Sequence, residues 1–470
     1  LKGPRLEFGT DGWRGRIAEE ATFETYGRLA RAAANIYRAG GFGPGDRDSI
    51  VIGYDPRFLS EEFAGVVAEI FSRIGIRVLL SDRPIPTPAV SFHVRRLALS
   101  GGISITASHN PAPDHGFKLK AHYGGSASPK LYARVEKEID HPFHERGGRG
   151  AVERVDLWGP YRDALASRAD VSSIRGAGLQ VLADAMHGAA GTLLAETVGE
   201  GKTRIVSFRA NRDVLFGGAH PEPIGSNLAA ASQRVRREGF GLAVATDGDA
   251  DRLGVLDSKG EFVSPHRILG LLLLHVFRNR GVRGGIARTF STSLLIDRIA
   301  QRLGVSIEET DIGFKYVADL MISGKAAAGG EESGGYGFAF HLPERDGTLS
   351  ALLLLESLAR TAKSLDQALS DLDSEFGRFH YSRSDVRIPA ETTARFLAHV
   401  AVSPPRRIAG HKVTSAKQRD GLKLFFGDSG WLLLRRSGTE PMIRLYCEHR
   451  DESACREILD RAGTRLAAFT

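Results

Sequence analysis

As far as residue 375, short apolar runs alternate with stretches of helical spacing, and that alternation limits the fold more than any other feature of the chain. In the first round, glycines 43 and 45 precede the apolar run 49–54. Ser60 then offers a helix N-cap ahead of Glu61 and Glu62, Phe63, Val66, Val67, Ile70 and Phe71 follow helical spacing, and Gly75 ends the helix before a second run at 76–80. A further strand is expected at 103–106. The order returns with strands at 179–183, 203–208 and 242–245 around the helix 228–237. It returns again from Ile286, with helices at 294–303 and 315–322 and apolar runs at 305–310 and 326–328. Strands joined through helices need crossover connections, so three α/β units are expected, each a largely parallel or mixed sheet flanked by helices.

After the helix 352–362 the pattern changes. Strands are expected at 386–388, 411–414, 422–426, 431–434 and 443–447, with helices only at 392–400 and 452–469, which reads as a smaller α+β unit. The charged, glycine-rich stretch 145–150 supplies one boundary. The expected division is therefore 1–150, 151–256, 257–374 and 375–470.

Composition excludes several classes. Apolar residues form 42% and charged residues 25% of 470, as in an ordinary globular protein. The net charge of +7 is dispersed rather than gathered in blocks, which argues against nucleic acid as a partner. The apolar run 268–277 is too short to span a bilayer, no signal pattern is read at the start, and Cys447 and Cys455 are too few for a disulfide scaffold. A cytoplasmic location is expected.

Four loops carry chemistry. In Thr106-Ala-Ser-His-Asn-Pro111 a serine follows a strand, with His109 beside it and Lys118 close by: a hydroxyl, a base and a cation suited to an activated nucleophile or phosphoryl carrier. An Asn-Pro turn alone would also account for it. In Thr246-Asp-Gly-Asp-Ala-Asp-Arg252 the alternating Asp247, Asp249 and Asp251 can converge on a hard divalent cation. An EF-hand is excluded, because its sixth position would be Arg252 and its twelfth Ser258. Gly329-Gly-Glu-Glu-Ser-Gly-Gly335 has the glycines and acceptors to approach sugar hydroxyls, or is a plain flexible loop. Arg435-Arg-Ser-Gly-Thr-Glu-Pro441, with Arg444 nearby, combines a guanidinium, hydroxyls and free amides as a phosphate dianion requires, although a hairpin turn could contain the same residues.

In this order, and with the opening Phe8-Gly-Thr-Asp-Gly-Trp-Arg-Gly15, the loops resemble the α-D-phosphohexomutase family, the phosphoglucomutases and phosphomannomutases, over essentially the whole chain. The resemblance implies three α/β domains and a fourth like half of a TATA-binding protein, set around a central cleft. It implies that Ser108 carries a phosphoryl group and that Asp247, Asp249 and Asp251 hold Mg²⁺ together with Ser108. Lys118 would be the general acid/base with His109 as second candidate, and Arg14 and Arg252 would stabilise the transferring phosphoryl. Glu331 and Ser333 would bind sugar hydroxyls, Lys315 and Arg444 would contact phosphate, and Arg435, Ser437, Gly438 and Thr439 would grip the phosphate that is not reacting.

The implied reaction interconverts hexose 1-phosphate and hexose 6-phosphate through a hexose 1,6-bisphosphate. The expected partner is a hexose phosphate, neither nucleic acid nor membrane, and the protein is a monomer or homodimer. Glu332, where relatives acting on glucosamine phosphate usually have Gln, and Gly313-Phe-Lys-Tyr-Val317 favour glucose, with mannose second. Gly335 departs from the pattern, because many glucose/mannose mutases place a histidine there. Rival readings are a phosphoglucosamine mutase and a metal-dependent sugar phosphatase.

Overall fold

The computed structural model describes residues 6–9, 11–145, 148–436, 442–467 and 469. It contains four principal sheets. In the first, the strands run in the order Trp13–Arg16, Asp114–Ala121, Gly101–Ile105, Ser49–Tyr54, Arg77–Ser81 and Val152–Val155. Its middle and far edge are parallel, while Asp114–Ala121 is antiparallel to both of its neighbours. Nothing in the apolar pattern announces that strand, because its lysines, histidine and glycine interrupt it. It is nevertheless almost wholly buried, since its polar side chains find partners inside the site.

The second sheet runs Phe262–Val263, Leu253–Leu256, Leu242–Thr246, Gln180–Asp184 and Arg204–Phe208. The third runs Ile307–Thr310, Gly285–Thr289, Ala326–Gly330 and Tyr336–Phe338. In both, the parallel pairs run out to one edge, Arg204–Phe208 in the second sheet and Ile307–Thr310 in the third, and the antiparallel pairing lies toward the other edge. The fourth sheet is antiparallel throughout, from His380–Arg387 to Ser415–Arg419, and carries the helices Ala390–Val402 and Glu452–Ala467.

Two strands fall on the other side of an expected division. Val152–Val155 lies beyond residue 150 yet pairs with Arg77–Ser81 in the first sheet, and Phe262–Val263 lies beyond residue 256 yet pairs with Leu253–Leu256 in the second. In both, a short edge strand is added to the sheet that the expected division closes, and no periodicity of its own announces it. The helix Leu365–Phe376, absent from the expected elements, begins on a capping box formed by Ser364 and Gln367. Ser60 does not cap its helix: Leu59, in left-handed conformation, stands at that position, and the Ser60 hydroxyl donates to Asp55 instead.

One apolar cluster joins the first three units. Trp158, Tyr161 and Leu165 pack with Leu269, Leu272 and Val276 and with the buried face of Gly347–Thr361. The fourth unit has its own core around Leu424, Ile443, Leu445 and Ile458. It meets the third through Phe290 against Trp431, Leu433 and Tyr446, and through Lys423, which donates to the Phe290 carbonyl at 2.7 Å. Among the described residues no helix is long and apolar enough to cross a membrane.

Candidate active site

Ser108 lies just past the carboxyl end of Gly101–Ile105, the usual location of ligands in open α/β sheets. It is buried and has φ +55°, a conformation that costs a non-glycine residue on the order of 1–3 kcal/mol unless its surroundings impose it. Here they do. The Ser108 amide donates to Thr106 Oγ1 at 2.8 Å, and its carbonyl accepts from Arg57 at 2.7 Å. Arg57 is fully buried and also donates to Asp55 and to the carbonyls of Asn110, Pro111 and Asp114, so a single guanidinium holds the loop from 108 to 114. Asp55 in turn accepts from Thr106 and Ser60.

No local motif points to this pair, because the partners of Arg57 in the loop lie 51 to 57 residues away. Arg57→Ala leaves Asp55 buried without its countercharge and is expected to cost about 3–5 kcal/mol, read as a lower melting temperature. Turnover should fall with it, and an unchanged melting temperature would contradict the stapling role.

The Ser108 hydroxyl donates to Asp247 Oδ2 at 3.1 Å and lies 3.4 Å from His109 Nδ1. Asp247 follows the strand Leu242–Thr246, and its Oδ1 accepts the amides of Asp251 and Arg252, which turns the loop back on itself. The two loops touch at Gly248, where a Cβ would stand 2.5 Å from the Ser108 carbonyl oxygen. Thr87 Oγ1 and Lys118 Nζ both donate to Asp249 Oδ2, each at 2.8 Å. Lys118 also pairs with Asp11 at 3.0 Å.

Burial, then Asp251 and Asp249, push the Asp247 carboxyl well above the usual range. Burial works against the charge on Lys118, but Asp11, Asp249 and Asp251 outweigh it and hold the side chain as an ammonium. His109 is the converse: burial, followed by Arg252, Arg14, Lys118 and Arg345, keeps its imidazole neutral. The site thus sets a charged ammonium and a neutral imidazole beside the same pair of loops.

Arg14 is exposed on the strand Trp13–Arg16 and donates to Asn110 Oδ1 of the serine loop. Arg252 pairs with Glu222 at 3.3 Å, with its Nε 4.0 Å from Asp247 and from Asp251. Glu331 follows the strand Ala326–Gly330 and is buried, which pushes its carboxyl up to about 7 against the pull of Arg345. Arg345, also outside any motif in the sequence, donates to Glu331, Asp251 and Asp11. Glu332 accepts from Ser291 at 2.5 Å, so it holds the turn after Gly285–Thr289. Ser333 is half-buried in the same loop, and Lys315 lies 5.1 Å from the centre of the Tyr316 ring.

Arg435 and Arg444 face each other across neighbouring strands of the fourth sheet, and Arg435 Nε donates to Asp420 at 3.0 Å. Asp420 also accepts the amide of Ile312, which ties this arginine to the third unit, and Arg435 feels the charge of Glu332. Ser437, Gly438 and Thr439 lie outside the described residues.

The four phosphoglucomutase/phosphomannomutase family models match in chain order: alpha/beta/alpha domain I over residues 5–145, domain II over 159–260, domain III over 264–376 and the C-terminal domain over 390–462. A phosphoglucomutase/phosphomannomutase of Thermococcus kodakarensis is 31% identical over 96% of this chain and 96% of its own. This chain belongs to the phosphohexomutase family. A phosphoglucosamine mutase of Rubrobacter xylanophilus is also 31% identical, over 98% of this chain and 97% of that one. The crystal structure of a Thermus thermophilus protein, assigned provisionally as a phosphomannomutase, superposes with a TM-score of 0.87 at 35% identity, over 99% of this chain and 100% of that one.

The metal that this phosphohexomutase fold implies can be tested against the residues present. Asp247, Asp249 and Asp251 are fully buried, and each offers a carboxylate oxygen within 4.8 Å of the others. Asp249 Oδ1 and Asp251 Oδ1 have no hydrogen-bond partner. Buried carboxylate oxygens left unsatisfied are costly, and a hard divalent cation with oxygen ligands would satisfy them. The site fits Mg²⁺.

Proposed function

We propose that this phosphohexomutase interconverts the 1-phosphate and 6-phosphate of a hexose, glucose first and mannose second, with Ser108 as the phosphoryl carrier. The observation that carries the reading is the meeting of Ser108 Oγ with Asp247 Oδ2 and His109 Nδ1 at 3.1 and 3.4 Å. In the forward half-reaction the Oγ–P bond of phosphorylated Ser108 breaks, a bond forms from phosphorus to the free sugar hydroxyl, that hydroxyl's proton passes to neutral His109, and the departing Ser108 Oγ takes a proton from Lys118 or from the protonated His109. In the return half-reaction the other phosphoryl of the bisphosphate moves to Ser108 Oγ, the Oγ proton passes to His109, and Lys118 or protonated His109 donates to the departing sugar oxygen. Mg²⁺, held by Asp247, Asp249 and Asp251, would supply charge neutralisation for the phosphoryl in flight.

The chain's other residues position the reactants, which is most of what phosphoryl transfer requires. Arg14 and Arg252 face the transferring group, and Glu331 and Ser333 accept from sugar hydroxyls. Arg435, Arg444, Lys315 and the loop 437–439 hold the second phosphate. A reading as phosphoglucosamine mutase is favoured by the Rubrobacter relative, and the engagement of Glu332 with Ser291 takes that residue's carboxylate away from sugar choice.

The test is kcat/KM on glucose, mannose and glucosamine 1-phosphates with Mg²⁺ and a trace of the matching bisphosphate. Glucose 1-phosphate is expected to lead. A lead for glucosamine 1-phosphate would transfer the assignment, and release of inorganic phosphate in place of the 6-phosphate would replace a mutase with a phosphatase.

A further inference from the structure

Adjacent glycines in the sugar loop are there for different reasons. Gly334 has φ +85°, a conformation that side chains resist, and a Cβ on it would stand 2.5 Å from the Leu253 carbonyl oxygen. Gly335 does not have a positive φ. What excludes a side chain at 335 is space: its Cβ would stand 2.3 Å from Arg345 Cδ and 3.1 Å from Arg345 Cγ. A flexible arginine could ordinarily give way, but this one is pinned at its tip. Its guanidinium donates to Asp251 at 2.6 Å, to Asp11 at 3.1 Å and to Glu331 at 3.3 Å, one carboxylate from each of the first three units. The Arg345 backbone is held as well, since the next residue, Asp346, donates its amide to the Tyr336 carbonyl and caps the helix Gly347–Thr361.

We propose that Gly335 and Arg345 form one device, in which the missing side chain at 335 is the passage through which Arg345 enters the cleft, and Arg345 is the positioning residue that sets Glu331 of the sugar loop and Asp251 of the metal loop against each other. The cation that a histidine at 335 would have supplied comes instead from a segment ten residues along the chain. The arrangement links sugar recognition to the metal loop, because the two carboxylates share one planar donor and neither can turn without releasing it. Asp251 engages Arg345 through Oδ2 while its Oδ1 accepts no hydrogen bond, the orientation a cation ligand needs. The Arg345 Nε–H is buried and has no partner, which leaves one donor for a bound oxygen.

The inference rests on the hexose-phosphate reading, and a double-mutant cycle separates the two. Arg345→Ala should raise the KM for hexose phosphate tenfold or more, as expected for the loss of charge-assisted hydrogen bonds. Arg345→Lys, which keeps a point charge without the fork, should recover part of it. Gly335→Ala should match Arg345→Ala, and the double variant should be no worse than either alone.

The same coupling should appear without any substrate. Gly335→Ala should lower the melting temperature by about 3 °C or more where Arg345 is present and by about 1 °C or less in the Arg345→Ala background. An inactive wild type would overturn the hexose-phosphate reading and leave the melting test to decide the device. A Gly335→Ala variant with wild-type KM and melting temperature, or additive losses in the double variant, would overturn the device itself.

Discussion

Ser108→Ala is expected to reduce hexose-phosphate turnover by at least about a thousandfold, while the affinity for hexose phosphate stays within a few-fold of wild type. The asymmetry follows from the geometry. The hydroxyl is the atom between Asp247 and His109, but the loop's shape is set by the Thr106 hydroxyl on the 108 amide and by Arg57 on the 108 carbonyl, and alanine keeps both contacts. Turnover is measured with the 1-phosphate and trace bisphosphate, and binding by calorimetry with the 6-phosphate. Retention of normal turnover would remove Ser108 as the phosphoryl carrier, whereas loss of binding together with turnover would mean that the hydroxyl also shapes the pocket.

Metal removal should have the second largest effect. Dialysis against a chelator is expected to reduce turnover at least about a hundredfold and to lower the melting temperature, with Mg²⁺ restoring both. Asp247→Asn sharpens the test because it separates function from stability. In the metal-free protein this carboxyl is pushed upward by burial and by Asp251 and Asp249, so an amide in its place relieves repulsion while still accepting from the 251 and 252 amides. Chelator-treated Asp247→Asn should therefore melt no lower than chelator-treated wild type, yet gain less than wild type when Mg²⁺ is added. Equal stabilisation of both proteins by Mg²⁺ would take Asp247 out of the ligand set.

How much of this site could be read along the chain depends on how far apart its partners lie. The serine, aspartate and sugar loops are each a run of a few residues after an apolar strand, so type and spacing are enough to name Ser108, Asp247, Asp249, Asp251 and Glu331 as candidates. Lys118 can be named too, although its strand cannot, because a polar strand whose side chains are satisfied by Asp11, Asp249 and Asp251 has no alternating pattern to detect. Arg57 and Arg345 are not visible in this way. Arg345 meets Asp251 across 94 residues and Asp11 across 334, and in the sequence it is one arginine among many before an Asp-Gly. Gly335 stands out as an anomaly, but what fills the space beside it lies in another segment.

Order along the chain is enough for the class of fold, three α/β units and a smaller α+β unit after them, because hydrophobic periodicity is a local property imposed by burial on one or both faces. It is also enough to name a candidate loop in each unit. Which carboxylates face one another, which lysine is held charged and which histidine neutral, and that one guanidinium joins three units, emerge only from the packing. Those properties depend on distances of about 3 Å between groups brought together when separate sheets pack, and both electrostatic and hydrogen-bond energies fall too steeply with distance for neighbours in sequence to reveal them.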